Sequence, residues 1–411
     1  MLVSIIIPVY NRENFIEQCL NSIIRAYLCD YEIILVDDNS TDKSKEICKE
    51  YTLQYDFVKL YELGKNVGPG MAREFGIKHS NGEFIYFVDS DDTIVTSKLP
   101  MLFEILKNNR NTDIFCFNHN LLYENGEMKN VNTFKSQGKV EIDLFFKNYP
   151  HCLTLNLWAS IFSRKFILQN NIVNYNCSFL EDAMFASQAF LKAKEIYTID
   201  ETFYNYRYFS NNSLMKSLEY DGRRKGIITF ARNLISCEGL IDSEPKKISY
   251  NYAFYSIAMR LLLLAIENNK LTLDFLDSLH LKLDFKKIFQ EFNEEEIPNM
   301  LFRSMYEKIK KCTLDFTKKL YFAPAGIFSL AIAKELQKTG VKVEGFLDNN
   351  PENSPYSQNA IKSGFSVSSI ESTNLTDSVV AITHTTLATV ELSAQLEKRG
   401  FVKNKDFICF I

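Results

Sequence analysis

No two of the nine cysteines, at 19, 29, 48, 116, 152, 177, 237, 312 and 409, have C-x-x-C spacing, and their number is odd. Scattered thiols, several of them on apolar faces, predict reduced core side chains rather than a disulfide framework. Histidine is scarce, with five in the chain and none paired at i, i+4, which argues against a zinc hydrolase. An excess of one charge is missing as well. Lys+Arg number 47 and Asp+Glu 51, for a net charge of -4, so a broad polyanion-binding surface and a nucleic-acid partner are not expected. Long hydrophobic runs are absent. The run Met1 to Pro8 has no basic leader and stops at a proline, which predicts a strand and not a signal peptide. The stretch from Tyr252 to Ile266 contains Arg260 and falls short of the roughly 20 apolar residues that a spanning helix needs. A buried helix is expected there, with peripheral attachment to a membrane surface left open. There is one Trp, yet aromatics reach 13%, carried by 33 Phe and 21 Tyr. At 46% hydrophobic and 24% charged the composition is that of a globular protein, not a disordered one. The 411 residues suggest two to three domains at roughly 150 residues each.

The first hundred residues alternate strand and helix patterns. Val3–Val9 is a continuous apolar run, as in a strand covered on both faces. Phe15, Ile16, Cys19, Leu20, Ile23 and Ile24 then recur at helical spacing. Strands are predicted at Tyr31–Val36, Phe57–Leu63 and Glu83–Val88. Ser40 and Thr41 are N-cap candidates for a helix running through Tyr51, and another helix is expected near Met71–His79. This order predicts a mostly parallel sheet with helices on both faces. Residues 98–150 read as helix plus strands, including Ile114–Asn118, and Leu218 to Cys312 reads as helical, with Glu294–Glu296 a solvated helix end. Beyond Lys318 the pattern alternates again, with strands at Lys319–Phe322, Val341–Leu347, Ser378–Ile382 and Asp406–Phe410 and helices at Ile327–Lys338 and Leu387–Lys398. No short-period repeat or low-complexity segment interrupts this order. The expected domains are residues 1–215, a helical region 216–317, and a small α/β unit 318–411.

Ligands of open parallel sheets bind beyond the carboxyl ends of the strands. Three polar clusters fall at such ends: Pro8 to Asn11, Asp37-Asp38, and Asp89 to Asp92. Carboxylates so gathered repel each other unless a cation or hydrogen-bond donors lie between them. A divalent cation such as Mg²⁺ or Mn²⁺, shared with phosphate oxygens, is the economical answer. Asp37 and Asp42 read more readily as caps of turns. Tyr10 can stack on an aromatic base, and Asp38 can accept from a ring N–H such as that of uracil. Arg73 can pair with phosphate or orient Asp91, and Gly68 and Gly70 permit close backbone approach. Asp182 precedes an apolar helix, where it is either an N-cap or a general base that takes the proton of an attacking hydroxyl.

Taken together these residues resemble the inverting family 2 glycosyltransferases of the GT-A fold. The resemblance rests on Ser4-Ile-Ile-Ile-Pro-Val-Tyr-Asn11, Ile34-Leu-Val-Asp-Asp-Asn-Ser-Thr-Asp42, Asn66-Val-Gly68, Met71-Ala-Arg73-Glu-Phe-Gly76 and Gly82 through Asp92. Leu157-Trp158, Glu181-Asp182 and Tyr206-Arg207 extend it to about residue 215. The resemblance implies a nucleotide diphosphate, most often uridine diphosphate, held by Pro8, Tyr10, Asn11, Asp38, Asn66, Arg73, Asp89 and Ser90. It implies a metal, Mn²⁺ or Mg²⁺, on Asp91 with Asp89, and Asp182 as catalytic base. Asp92, Trp158 and Glu181 would face the donor sugar or the acceptor. Some members supply a late histidine to the metal, but no His lies between positions 151 and 280, so waters are expected to complete the shell.

The resemblance also implies a setting: a cytoplasmic enzyme at the inner membrane face, adding a sugar to a glycan or lipid-linked glycan in bacterial capsule or lipooligosaccharide synthesis. Self-association stays open. Residues 318–411 resemble a Rossmann-like module, but the turn Ala323-Pro-Ala-Gly326 has one glycine where the dinucleotide fingerprint has three. Asp348, 22 residues beyond Gly326, stands where a ribose contact is expected, and docking or a degenerate ligand site is the other reading. A nucleotidyltransferase would need a glycine-rich loop after the first strand, yet no glycine precedes Gly64. A catalytically inactive nucleotide-sugar-binding scaffold is disfavoured by Asp89, Asp91 and Asp182. An oxidoreductase built on the C-terminal unit lacks an evident proton donor.

Overall fold

The computed structural model describes residues 1–26, 29–154, 156–177, 179–208, 220–268, 270, 288–290, 296–313, 318–349, 351–352, 354–383, 386–402 and 407–409. They form two compact units, one of residues 1–226 and 236–250, the other of 227–235 and 251–411. The helical residues after position 220 are divided between these two units. Residues 294 and 295 of the acidic run lie outside the described residues.

The first unit begins with β1 (Val3–Val9), α1 (Ile16–Ile24), β2 (Tyr31–Asp37), α2 (Ser44–Gln54), β3 (Val58–Glu62), α3 (Pro69–His79) and β4 (Phe84–Phe87). It continues with β5 (Thr93–Ile94), α4 (Leu99–Asn108), β6 (Ile114–Tyr123), β7 (Met128–Val131), β8 (Gly138–Val140) and α5 (Ile142–Asn148). Last come β9 (Ser160–Ser163), α6 (Arg164–Gln169), α7 (Glu181–Lys192) and β10 (Ile196–Tyr208). The sheet order is β3-β2-β1-β4-β9-β6-β10-β5, with β7 on β6 and β8 on β10. The first four strands are parallel, while β9 runs antiparallel to both β4 and β6. The sheet is therefore mixed.

Every residue of β1 is buried, as a strand covered on both faces requires. The expected face of α1 is the buried one: Ile16, Cys19, Leu20 and Ile23. Helix α3 approaches β1 closely at Gly76, where a Cβ would come within 2.4 Å of Ile6 Cγ2. Helix α2 starts at Ser44, with Lys43 as its cap residue, and not after Ser40 or Thr41. The reason is that Ser40 and Thr41 serve another partner: Asn11 N donates to Ser40 Oγ, and Thr41 N donates to Asn11 Oδ1. β6 extends five residues past the predicted strand because β7 and β10 pair with its outer half. Five of the cysteines (19, 48, 116, 152 and 237) are buried free thiols, whereas Cys29 is exposed and Cys177 half-buried.

In the second unit β11 (Lys319–Ala323), β12 (Val343–Leu347), β13 (Ser366–Ser368), β14 (Ser378–Ile382) and β15 (Phe407–Cys409) form an all-parallel sheet, order β13-β12-β11-β14-β15. This is a doubly wound arrangement. The strand β13 and the helix Pro355–Lys362 were not anticipated; β13 is three half-exposed or exposed residues, too short for a periodicity to show. Asp348 is buried and accepts from Ser357 Oγ at 2.8 Å, so its carboxylate caps a local turn. No helix of the described residues is long and apolar enough to cross a membrane.

Candidate active site

The site begins where β1 and β4 part. Val88 N donates to Ile6 O, and two residues later Pro8 faces the same side without an N–H to give. The ladder stops there, at the carboxyl ends of β1, β2 and β4. Tyr10 is exposed at 39% at the end of β1. Asn11 follows at φ 51°, a left-handed conformation that asparagine tolerates, and its side chain bonds the turn after β2. Asp37 accepts from Ser40 N and Asp42 from Ser44 N and Glu13 N, so these two carboxylates do cap turns.

Asp38 is buried and accepts from Val67 N at 2.7 Å and Gly68 N at 2.8 Å. Burial, helped by neighbouring Asp37, pushes its carboxyl up despite these two amides. It thereby fastens the loop carrying Asn66, which is itself exposed. A ring N–H would have to use the oxygen lone pairs that the amides leave.

The turn after β4 holds Asp89, Ser90, Asp91 and Asp92. Arg73, on α3 and only 5% exposed, reaches Asp89 Oδ1 at 2.8 Å and Glu181 Oε1 at 3.1 Å. Burial works against its charge, but Asp89 and Glu181 more than restore it, so it stays cationic. Arg73 thus orients Asp89, not Asp91. Asp91 pairs instead with Arg12, Nε to Oδ2 at 3.1 Å. Burial and then Asp89 raise the Asp91 carboxyl, with Arg12 pulling the other way.

Two expected sugar contacts have other employment. Asp92 is 2% exposed, and its oxygens accept from Tyr204 Oη at 2.7 Å and Arg207 N at 2.6 Å. Trp158 is 5% exposed, stacked on Tyr204 at 4.6 Å and on Tyr206 at 5.1 Å. Both therefore support the Asp89–Asp92 turn: Tyr204 Oη also accepts from Asp89 N, and Arg207 Nε donates to Asp91 O. Ser90 is buried within that turn. Tyr204 was not singled out from the sequence, although it shares a strand face with Tyr206, two residues on.

Glu181 and Asp182 form the first turn of α7, behind Leu180 at φ 63°. A bulky residue in that region costs on the order of 1–3 kcal/mol, a strain typical of functional sites. Leu180, not Asp182, is the cap residue of α7. The helix end favours anions, yet Asp182 is raised to about 7, chiefly by burial and then by Glu181, with Asp89 adding to it and Arg73 opposing. Gly70 is obligatory beside this turn, since a Cβ there would lie 2.7 Å from Tyr175 O and 3.1 Å from Glu181 Cγ.

Asp89 and Asp91 are 28% and 32% exposed, hard oxygen donors within electrostatic reach of each other. They suit Mg²⁺ or Mn²⁺, which bind through one or two carboxylates and fill the remaining positions with water and phosphate. Among the described residues no group of three or more His, Cys, Asp or Glu side chains is arranged to hold a metal ion by itself.

Comparison with known proteins bears on this geometry. Residues 4–174 match the family described as glycosyl transferase family 2. The chain is 30% identical over 251 residues to the cholesterol galactosyltransferase of Borreliella burgdorferi, covering 58% of this chain and 69% of that protein. It is 33% identical over 207 residues to the poly(ribitol-phosphate) beta-glucosyltransferase of Bacillus spizizenii, covering 48% of this chain but only 30% of that protein. The crystal structure of S. aureus TarS 1–349 in complex with UDP-GlcNAc aligns with a TM-score of 0.52 at 19% identity, covering 82% of this chain and 92% of that one. At that identity the likeness concerns the fold.

Proposed function

Since the chain belongs to glycosyl transferase family 2, we propose that it moves a sugar from a nucleotide-diphosphate donor, a UDP-sugar, to a hydroxyl of a glycan acceptor with inversion at the anomeric carbon. The observation that carries this reading is the span of Arg73. It ties Asp89, after β4, to Glu181, in the first turn of α7, and so holds Asp182 within electrostatic reach of Asp89. A base and an anion-handling group thus stand together at one sheet edge.

Asp182 takes the proton of the acceptor hydroxyl. The oxygen attacks the anomeric carbon from the face opposite the leaving group, and the bond to the diphosphate breaks with its electron pair going to UDP. Asp91 and Asp89 would hold a divalent cation, which when bound stabilises the negative charge growing on the diphosphate. Tyr10 would stack on the base, and Asp38, Asn11 and Asn66 would shape the loops around it. Arg73 and Glu181 keep Asp182 and Asp89 in register.

A UDP donor is supported by the TarS complex with UDP-GlcNAc, a protein of the same fold. A cell-surface acceptor, in capsule or lipooligosaccharide synthesis, is proposed beside relatives named as a poly(ribitol-phosphate) beta-glucosyltransferase and a minor teichoic acid biosynthesis protein. We assign the enzyme to the cytoplasmic side, working at the membrane surface on a lipid-linked glycan. The test is a panel of UDP-sugars with Mn²⁺, Mg²⁺ or chelator, read by UDP release. Metal-dependent release from one donor is expected. Undiminished release in chelator would remove the cation from the scheme, and no release from any donor would remove the donor class.

A further inference from the structure

The two arginines at the Asp89–Asp91 turn are held differently. Arg73 is buried and locked between two carboxylates. Arg12 is 23% exposed and has a single carboxylate partner, Asp91. Its Nη1 donates to two backbone carbonyls at the end of β1, Asn11 O at 3.0 Å and Tyr10 O at 3.3 Å. Its own amide is fixed by Ser44 Oγ at 2.6 Å, so the arm starts from a rigid base. The fork geometry of arginine lets one side chain make these contacts at once, which a lysine ammonium could not do.

The geometry points to Arg12 as a placeholder cation that holds Asp91 when no divalent cation does and is displaced when one takes that carboxylate. This rests on the assignment of Asp91 as a cation ligand. Arg12 Nε sits on Asp91 Oδ2, so a cation held by that carboxylate would compete with it. The carbonyls of Tyr10 and Asn11 keep the released guanidinium nearby, at the sheet edge where a donor diphosphate would lie. Arg12 is thus a positioning residue: it holds Asp91, beside Asp89, while no cation neutralises that carboxylate.

The test is Mn²⁺ binding by the full chain without nucleotide, read from the electron paramagnetic resonance of free Mn²⁺. Wild type, Arg12→Gln, Arg12→Ala and Asp91→Ala are compared, with circular dichroism as the check of folding. Removing a partly exposed ion pair of about 1 kcal/mol should tighten Mn²⁺ binding roughly fivefold in both Arg12 variants. Arg12→Gln keeps the length and polarity of the arm, so the result does not depend on the alanine variant folding. A merely structural Arg12 would leave Mn²⁺ affinity equal or weaker in these variants. That outcome, with Asp91→Ala binding lost, overturns the placeholder role and leaves the cation site standing. Unchanged Mn²⁺ binding in Asp91→Ala removes the cation site itself, and the placeholder with it.

Discussion

The first sheet carries buried carboxylates at both ends of its strands, one at the amino end and several at the other, and the two groups behave in opposite ways. At the amino end Glu32 of β2 is fully buried, accepting from Ser4 Oγ, Lys59 Nζ and Asn81 N, each at 2.7 Å. Burial alone would raise its carboxyl, but Lys59, Ser4 and Asn81 together hold it below the usual range. At the carboxyl end burial wins: Asp38, Asp91 and Asp182 are all pushed up. The difference lies in the partners. Glu32 has a cation and two neutral donors of its own, whereas Asp182 shares Arg73 with Asp89 and Glu181. The first group is completed by the protein. The second is left short of positive charge and of donors, the condition under which acids and bases are tuned for chemistry.

That contrast breaks most visibly in turnover. Asp182→Asn should lower the transfer rate by about 10²–10⁴-fold, the usual worth of a general base, while UDP binding and folding persist. Most of the rate surviving in the variant would show that Asp182 is not the base. The mirror experiment is Glu32→Gln, which should leave the rate per folded molecule intact but cost about 1.5–3 kcal/mol of stability in urea melts. If Glu32→Gln abolished turnover in folded protein, or cost nothing, the two ends would not be divided as described.

How much of this was legible beforehand differs between the ends as well. The alternation of strands and helices in the first hundred residues, the α1 face and the placing of Asp38 and Asp89 after strands could be read because buried parallel strands are continuous apolar runs and their polar ends are abrupt. The outer half of β6 could not, since its pairing with β7 and β10 comes from residues distant in sequence. Arg12 was passed over because it lies one residue beyond the Asn11 motif and reaches Asp91 across 79 positions. The burial of Asp92 is hidden for a related reason: an Asp beside two half-buried carboxylates looks like them in sequence, and only the packing of Tyr204 and Arg207 shows that it points inward. Glu32 carried no signal at all; a lone acid inside a strand reads as the solvent face of an edge.

The gentlest separation of the two groups is by pH, and its sign is determined. Asp182 titrates at about 7 in the folded chain against a reference of 3.8, so folding takes up a proton between these values. Its contribution to stability is complete below about pH 4, declines as pH rises, and is gone above about 7, with a slope of at most about 1.4 kcal/mol per pH unit. Glu32, lowered from 4.5, contributes in the other sense: its stabilisation is present above that value and is lost as pH falls through the folded value. Urea melts of wild type and Asp182→Asn between pH 4 and 8 should therefore diverge, the variant gaining on the wild type as pH rises. Over the same interval the wild-type transfer rate should climb with an inflection near 7, because the base works only when deprotonated. Parallel stability curves for the two proteins would mean that Asp182 is not held protonated by its surroundings. A rate that fell on going from pH 6 to 8 would assign the proton to a general acid instead.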